Sequence, residues 1–230
     1  MAVPDRMDER LRALGLVEGQ RTAQALFAEA AARGLIAPGR SERELSDRIG
    51  DLARPMSRSI PGRPRPRVRS GQHALLPCGQ EPPEDRVIGE DDLVVVDIAP
   101  APSGYGTSLA RTVVVGEDPD KHRLVEDLPV MFEAGREAFR TQRALTARQL
   151  YAEVQALAAR AGWALVGRHA GHLVGAAPAA RDDAYIGPDN DRSLRRTTEG
   201  GWQAHWVLEI RLVDEHRGFG GSFKGLLDLA

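Results

Sequence analysis

The chain has 230 residues and a net charge of −2 at pH 7, since 31 lysines and arginines face 33 aspartates and glutamates. Its hydrophobic content of 42% is ordinary for a globular protein and excludes a disordered chain. The even charge balance and the lack of a long apolar run argue against binding to nucleic acid or to a membrane. The single cysteine, Cys78, excludes an internal disulfide and a cysteine-rich zinc site. We expect a cytoplasmic protein.

Apolar residues at helical spacing predict four helices. The first spans residues 5 to 34, and the second starts at Ser41, which forms a capping box with Glu44. The third spans residues 117 to 142, and Thr146 caps the fourth.

Strand-like segments follow the second helix and return near the end of the chain. Residues 92 to 116 predict a strand pair around a turn at 101 to 106, and two more strands fit residues 205 to 213 and 220 to 227. Prolines between residues 54 and 69 exclude regular structure there until about residue 68. Helices around a mostly antiparallel sheet define an α+β fold.

Two acidic residues lie inside apolar strand segments. Asp97 follows three valines, where a carboxylate is costly unless it is paired or metal-bound; otherwise it is a strand-end acid that starts the turn. In the later segment, alternate residues from Trp206 onward form a core face, and Glu209 and Arg211 lie on the opposite face. The strand alone does not decide whether that face is exposed to solvent or lines a functional site.

Two further residues are candidates by their surroundings. A turn centred near residues 102 and 103 would place Asp97 opposite Ser108, with Cβ atoms about 5 Å apart. His172 lies between two glycines in GHLVG, which suits a ring that the backbone approaches closely, although a hydrogen-bonded core histidine fits as well.

The order of these motifs resembles the pita-bread superfamily of methionine aminopeptidases, Xaa-Pro aminopeptidases, prolidases and creatinases. Four segments carry the similarity, which runs from about residue 40 to the end: VIGEDDLVVVDIAPAPSGYGTSLARTVVVG, GHLVG, HWVLEIRLVD and GGSFKGLLDLA. The resemblance implies a pita-bread fold, an antiparallel sheet wrapped by helices, as a single domain over 1–230. Residues 1–66 would supply N-terminal helices and a Pro/Arg-rich loop, and 67–230 the core.

In such enzymes two aspartates, one histidine and two glutamates hold two divalent metals. The resemblance places three of these ligands on Asp97, His172 and Glu209. The second aspartate falls on Ser108 and the last glutamate on Lys224. The histidine and glutamate that usually follow the glycine-histidine motif are absent. The resemblance therefore implies a degenerate metal site.

These replacements change the charge of the site. Asp97 and Glu209 contribute −2, and Lys224, one of only two lysines in the chain, brings the total to −1. An ammonium between two carboxylates neutralises much of the charge that a metal would offset, and it repels a cation. Alternatively, Lys224 points outward from the last strand, toward Asp228 or solvent.

The first of three possible functions is a metal-independent enzyme with no cofactor. It would perform acid–base chemistry on a small molecule, as a rewired family member in specialised metabolism. His172 would titrate near neutrality, Glu209 or Asp97 would orient it, and Lys224 would stabilise negative charge or act as an acid. The candidate substrate-binding residues are Tyr105, Ser108 and Arg211.

Two other functions remain open. One manganese, zinc or cobalt ion on Asp97, His172 and Glu209 would support a mononuclear peptidase or amidohydrolase of the Xaa-Pro type. A binding protein could instead keep the fold without the chemistry, using the arginines of residues 63 to 69. Cys78 is a further candidate nucleophile. Because dimers are common in the superfamily, the resemblance also implies a homodimer as one oligomeric state.

Overall fold

The computed structural model describes residues 6–54, 66–77, 80–99, 107–175 and 181–229. Tyr105 and Cys78 lie outside these residues. The helices are α1 (Arg6–Ala32), α2 (Glu42–Ala53), α3 (Pro119–Thr141) and α4 (Ala147–Arg160). The strands are β1 (Arg67–Ser70), β2 (Leu93–Ile98), β3 (Leu109–Val114), β4 (Ala164–Leu165), β5 (Gly171–Leu173), β6 (Trp206–Asp214) and β7 (Phe219–Leu226).

The helices begin where the capping residues predict. The Ser41 hydroxyl accepts a hydrogen bond from the backbone N–H of Glu44 at 3.1 Å, and Thr146 forms a capping box with Gln149 at the start of α4. None of the helices in the described part of the chain is long and apolar enough to cross a membrane.

The strands form one antiparallel sheet in the order β1-β2-β3-β7-β6-β4, and β5 pairs with β6 beside this path. Strands β4 and β5 were not predicted, because segments of two and three residues are too short to show a strand pattern. The α+β class and the antiparallel sheet wrapped by helices are confirmed.

Strand alternation separates the core of the protein from a second face of the sheet. Val94, Val96 and Ile98 of β2 pack in a core cluster with α1 and α2. The predicted core residues of β6 pack in another cluster with α3 and α4; they are Trp206, Leu208, Ile210 and Leu212. The intervening residues of both strands, including Asp97 and Glu209, therefore point to the opposite side, which we call the site face.

The predicted pairing of Asp97 with Ser108 is wrong. Asp97 lies opposite Ala110, and Ile98 lies opposite Leu109, so the register differs by two residues from the one expected. Because the shift is even, Ser108 keeps to the same side of β3 as Ala110, one position before the strand begins.

A buried histidine ties α1 to the end of the chain. His205 is 6% exposed, and its two ring nitrogens lie 2.5 Å from Asp228 Oδ2 and 3.0 Å from Glu9 Oε1. Burial alone would lower the pKa of His205, but the hydrogen bonds to Asp228 and Glu9 and the Asp228 charge outweigh it and raise the pKa above 6.5. With carboxylates at both nitrogens, the imidazolium form is the one that fits.

This contact predicts a loss of stability in alkaline solution. A histidine with a raised pKa stabilises the fold below its unfolded pKa, about 6.5, and the contribution disappears as the pH rises through the folded value. We expect the free energy of unfolding, measured with urea at several pH values from 6 to 9, to fall across this range. The free energy of unfolding of His205→Asn should differ most from that of wild type at pH 6, the acidic end of this range. A constant difference at all pH values would contradict the charged state assigned to His205.

Candidate active site

The candidate site is built on a row of residues that crosses five neighbouring strands. Cα pairings join Arg67 on β1 to Asp97 on β2, Asp97 to Ala110 on β3, Ala110 to Lys224 on β7, and Lys224 to Glu209 on β6. Residues paired directly across strands point to the same face of a sheet. The sheet thus collects side chains from both halves of the sequence on the site face.

Lys224 lies between two carboxylates at the centre of this row. Its Nζ donates to Asp97 Oδ2 at 2.6 Å and lies 3.8 Å from Glu209 Oε2. Lys224 is 4% exposed, so its ammonium is held away from bulk water, where a charge needs partners of the opposite sign. The alternative in which Lys224 points outward toward Asp228 or solvent is wrong, because Lys224 is buried and its ammonium contacts Asp97.

Ala110 and Arg111 explain how Lys224 reaches Asp97. Ala110 lies between Lys224 and Asp97 in the row, and its small methyl group leaves room for the lysine side chain to cross β3. On the other face of β3, the Arg111 guanidinium donates to the carbonyl oxygens of Ala110 at 2.7 Å and of Lys224 at 2.8 Å, and it stacks on Phe223. Burial lowers the pKa of Arg111 to about 10, so it stays charged at neutral pH. Arg111 thereby fixes β3 against β7 at the level of the site.

The short strand β5 brings His172 to the same face. His172 pairs with Val207, two residues before Glu209 on β6. Gly171 has a φ of +143°, and a Cβ atom there would lie 2.1 Å from the Val207 carbonyl oxygen, so only glycine permits this approach. Burial, followed by the Lys224 ammonium, lowers the pKa of His172 below 6.5, although the site carboxylates act in the opposite direction. The neutral form of the imidazole is therefore favoured in this site.

A cavity opens in front of His172 and Glu209. Its volume is about 360 Å³, and Arg211, His169 and Tyr185 contribute to its wall. The rings of His169 and Tyr185 stack with centroids 4.2 Å apart and an interplanar angle of 12°. A separate recess of about 40 Å³ shares Glu209 and Arg211 with this cavity; its lining also includes Arg67, Arg69 and Asp97.

The structure brings together most of the residues that the sequence singled out. Asp97, Glu209, Lys224, His172 and Arg211 share the site face, and all of them except the buried Lys224 line one of the two cavities above it. Ser108 lies beside the row, next to β3. Among the residues that the structure describes, no group of three or more histidine, cysteine, aspartate and glutamate side chains is arranged to hold a metal ion.

Several residues of this site were not predicted to lie here, among them Arg69 and His169. Arg69 was assigned to a loop, but it alternates with Val68 in β1, and that alternation is the signal that could have revealed a strand. His169 carries no such signal, because its position depends on the turn before β5.

Residues 16–199 of this chain match the family model described as "Metallopeptidase family M24". The chain belongs to metallopeptidase family M24. It is 27% identical over 146 residues to an Xaa-Pro dipeptidase from Pyrococcus horikoshii, a match that covers 61% of this chain and 39% of that protein. The membership predicted from the order of the motifs is thus confirmed.

Solved structures of M24-like proteins share the fold. A prolidase from Thermococcus sibiricus superposes with a TM-score of 0.73 at 21% identity, covering 99% of this chain and 58% of that one. A methionine aminopeptidase from Thermotoga maritima superposes with a TM-score of 0.62 at 15% identity, covering 97% and 89%. The pita-bread fold is confirmed. The chain spans less than two thirds of the Xaa-Pro dipeptidase and of the prolidase that it matches.

Proposed function

We propose that this M24 protein is an enzyme that performs acid–base chemistry on a small molecule without a metal ion. The observation that carries the proposal is the position of Lys224, whose ammonium lies 2.6 Å from Asp97 and 3.8 Å from Glu209. A fixed positive charge therefore occupies the space between two carboxylates that the family resemblance assigns to metal binding.

The residues present do not fit a pair of divalent ions. Ser108 and Lys224 stand where the resemblance implies carboxylates, and a hydroxyl and an ammonium are poor substitutes for them. The Lys224 ammonium also takes up an Asp97 oxygen that a metal would need, and it repels any cation placed nearby.

The side chains that remain are suited to proton transfer. The neutral imidazole of His172 can accept a proton from a substrate bound in the cavity. Lys224 offers a fixed charge to the negative charge that develops on a substrate oxygen. Asp97 and Glu209 hold this ammonium in place, and the Glu209 charge also acts on His172.

A second function is supported by the named relative. The protein from Pyrococcus horikoshii is an Xaa-Pro dipeptidase, and Asp97, His172 and Glu209 remain at three of the ligand positions that the resemblance implies. A single metal on these residues would make the chain a mononuclear peptidase or amidohydrolase.

Metal content separates the two functions. The protein is incubated with manganese, cobalt and zinc, free metal is removed, and the metal per chain is measured by plasma mass spectrometry. The proposal expects no bound metal. About one metal per chain would favour the mononuclear hydrolase, and about two would show that Ser108 and Lys224 do not occupy ligand positions.

His172→Ala then tests the enzyme itself. In a screen of small amides and dipeptides run with a chelator, any turnover should be lost in His172→Ala, while the urea unfolding midpoint stays close to that of wild type. Unchanged turnover in His172→Ala would reject both enzymatic functions. Turnover that the chelator abolishes and added metal restores would reject the metal-free one.

A further inference from the structure

A second cavity lies outside the candidate active site. Its volume is about 620 Å³, and none of its described lining residues belongs to the cavity in front of His172 or to the recess beside it. Three parts of the chain form its wall: Arg12 of α1, residues 173 to 175 at the end of β5, and residues between 181 and 202. We call this cavity the Trp202 pocket, after the indole ring in its wall.

Asp183 brings two arginines of this wall together. Its carboxylate pairs with Arg192 Nη1 at 2.5 Å, and its backbone carbonyl accepts a hydrogen bond from Arg196 Nη2, also at 2.5 Å. Asn190, which is 3% exposed, holds the same carbonyl: its Nδ2 donates to Asp183 O at 3.1 Å and to Tyr185 O at 2.7 Å. The backbone N–H of Arg192 in turn donates to Asn190 Oδ1 at 3.0 Å. A buried amide thus fixes the backbone that positions both guanidinium groups.

Arg196 is the arginine of this wall whose charge is not matched by a carboxylate. The other three each lie within 4.0 Å of one: Arg12 of Glu9, Arg181 of Glu199 and Arg192 of Asp183. Among the residues that the structure describes, Arg196 contacts only the carbonyl oxygens of Asp183 and Ser193 and the ring of Trp206, whose centroid lies 5.1 Å away. Residues 176–180, which link two parts of the wall in sequence, are alanines and one proline and carry no charge.

The surroundings of Arg196 favour a bound anion. Burial, followed by the charge of Arg192, lowers the pKa of Arg196 below 12.5. The Asp183 carboxylate acts in the opposite direction, but it is already paired with Arg192. An anion beside the two guanidinium groups would offset both unfavourable effects, because it would supply the opposite charge that the half-buried Arg196 lacks.

Trp202 gives the pocket a rigid aromatic wall. Its backbone N–H donates to Thr198 Oγ1 at 3.2 Å, and its carbonyl accepts from the backbone N–H of Thr198 at 2.7 Å. The Arg12 guanidinium lies 5.4 Å from the centroid of the indole ring, and it is itself held by the Gln203 carbonyl at 3.0 Å. A ring fixed in this way can pack against a flat ligand at little cost in conformational entropy.

We propose that the Trp202 pocket binds a small organic anion in which an aromatic ring carries an oxyanion group, a carboxylate or a phosphate. Arg196 and Arg192 bind the oxyanion through charge-assisted hydrogen bonds, and Trp202 packs against the ring. The volume of about 620 Å³ is within the range of sites for small organic ligands. This inference does not depend on the proposed function, since the pocket and the catalytic cavity are lined by different residues.

Binding of simple aromatic anions tests the proposal without any turnover. Phenylacetate and phenyl phosphate are titrated into the full chain by isothermal titration calorimetry at low salt. Phenylacetamide is the uncharged match of phenylacetate, and acetate and inorganic phosphate are the matches without a ring. We expect at least one aromatic anion to bind, phenylacetamide not to bind, and each ringless anion to bind more weakly than its aromatic match. The tighter aromatic anion identifies the oxyanion as carboxylate or phosphate.

Variants locate the anion. Arg196→Met should weaken binding by about 10- to 100-fold, because it removes a charged donor. Arg192 is 56% exposed, so Arg192→Met should fold normally and should also weaken binding, since it leaves the Asp183 carboxylate unpaired beside the anion. Arg195→Met is the matched control: Arg195 also donates to a backbone carbonyl and stacks on an aromatic ring, both of Phe139, but it does not line the pocket. It should bind as wild type does.

Two further variants test the ring and the location. Trp202→Leu should remove the preference for aromatic over ringless anions, and a preference that persists would reject Trp202 as the wall for the ring. His172→Ala, which should abolish turnover under the proposed function, should bind the anion as wild type does. Loss of binding in His172→Ala would place the anion in the catalytic cavity and reject the Trp202 pocket.

The proposal is overturned if neither aromatic anion binds or if phenylacetamide binds as tightly as phenylacetate. It is also overturned if Arg196→Met and Arg192→Met both bind as wild type does while their urea unfolding midpoints show that they are folded.

Discussion

Lys224→Met is expected to lower the free energy of unfolding by about 3 kcal/mol, the loss typical when one partner of a buried ion pair is removed. Methionine has a similar length and flexibility, so little of this loss comes from a cavity. Asp97 and Glu209 would be left in one pocket without the ammonium that now lies 2.6 Å and 3.8 Å from them. Urea unfolding followed by circular dichroism measures the change.

The other lysine of the chain provides the control. Lys121 lies 2.9 Å from Asp91, whose side chain is 56% exposed, and Lys121→Met is expected to cost less than about 1 kcal/mol. Adding Asp97→Asn to Lys224→Met should recover part of the loss, because it removes one of the two unpaired carboxylates. If Lys224→Met is as stable as wild type, the ammonium does not hold the site together and its assignment as a fixed cation fails.

Ser108→Asp combined with Lys224→Glu is expected to create a metal site. The double variant would hold two aspartates, one histidine and two glutamates at the positions that the family resemblance assigns to ligands. Without metal, four carboxylates would crowd the row, so the variant should unfold at lower urea concentration than wild type. Manganese should reverse this: at a concentration about 100 times the dissociation constant, binding adds about 2.7 kcal/mol to the stability of the fold.

The measurements are urea unfolding with manganese or with a chelator, and manganese per chain by plasma mass spectrometry. The matched control is Ser108→Asn with Lys224→Gln, which has nearly the same shapes without the charges and should show no manganese effect. Lys224→Glu alone should bind more weakly than the double variant. If the double variant binds no manganese, Ser108 does not point into the site and its assignment to a ligand position is wrong.

Local chemistry made much of the fold predictable from the sequence. The hydroxyls of Ser41 and Thr146 mark helix starts because they cap backbone N–H groups within their own turn. The core face of β6, starting at Trp206, is visible because Glu209 and Arg211 alternate with its apolar residues. Asp97 and Glu209 are conspicuous because each places a carboxylate in an apolar strand.

The arrangement of the site was less predictable, because it depends on how separate strands are aligned. The pairing of Asp97 was wrong by two residues, since the length of a loop does not fix where its turn lies. The direction of Lys224 could not be read from β7, whose small residues and glycines give no clear alternation. Arg69 and Arg211 meet at the Leu76 carbonyl only after β1, β6 and the intervening turn have packed together.

The Ala110 methyl group, over which Lys224 reaches Asp97, also affects how the site depends on its surroundings. A metal ion is present in a fraction of molecules that follows its free concentration, and chelation or metal starvation empties the site. The charge of a lysine is synthesised with the chain and remains at full occupancy in every folded molecule. A larger residue in place of Ala110 would block this path. The small side chain at this position of β3 therefore allows the Lys224 ammonium to act as a permanent positive charge in the site.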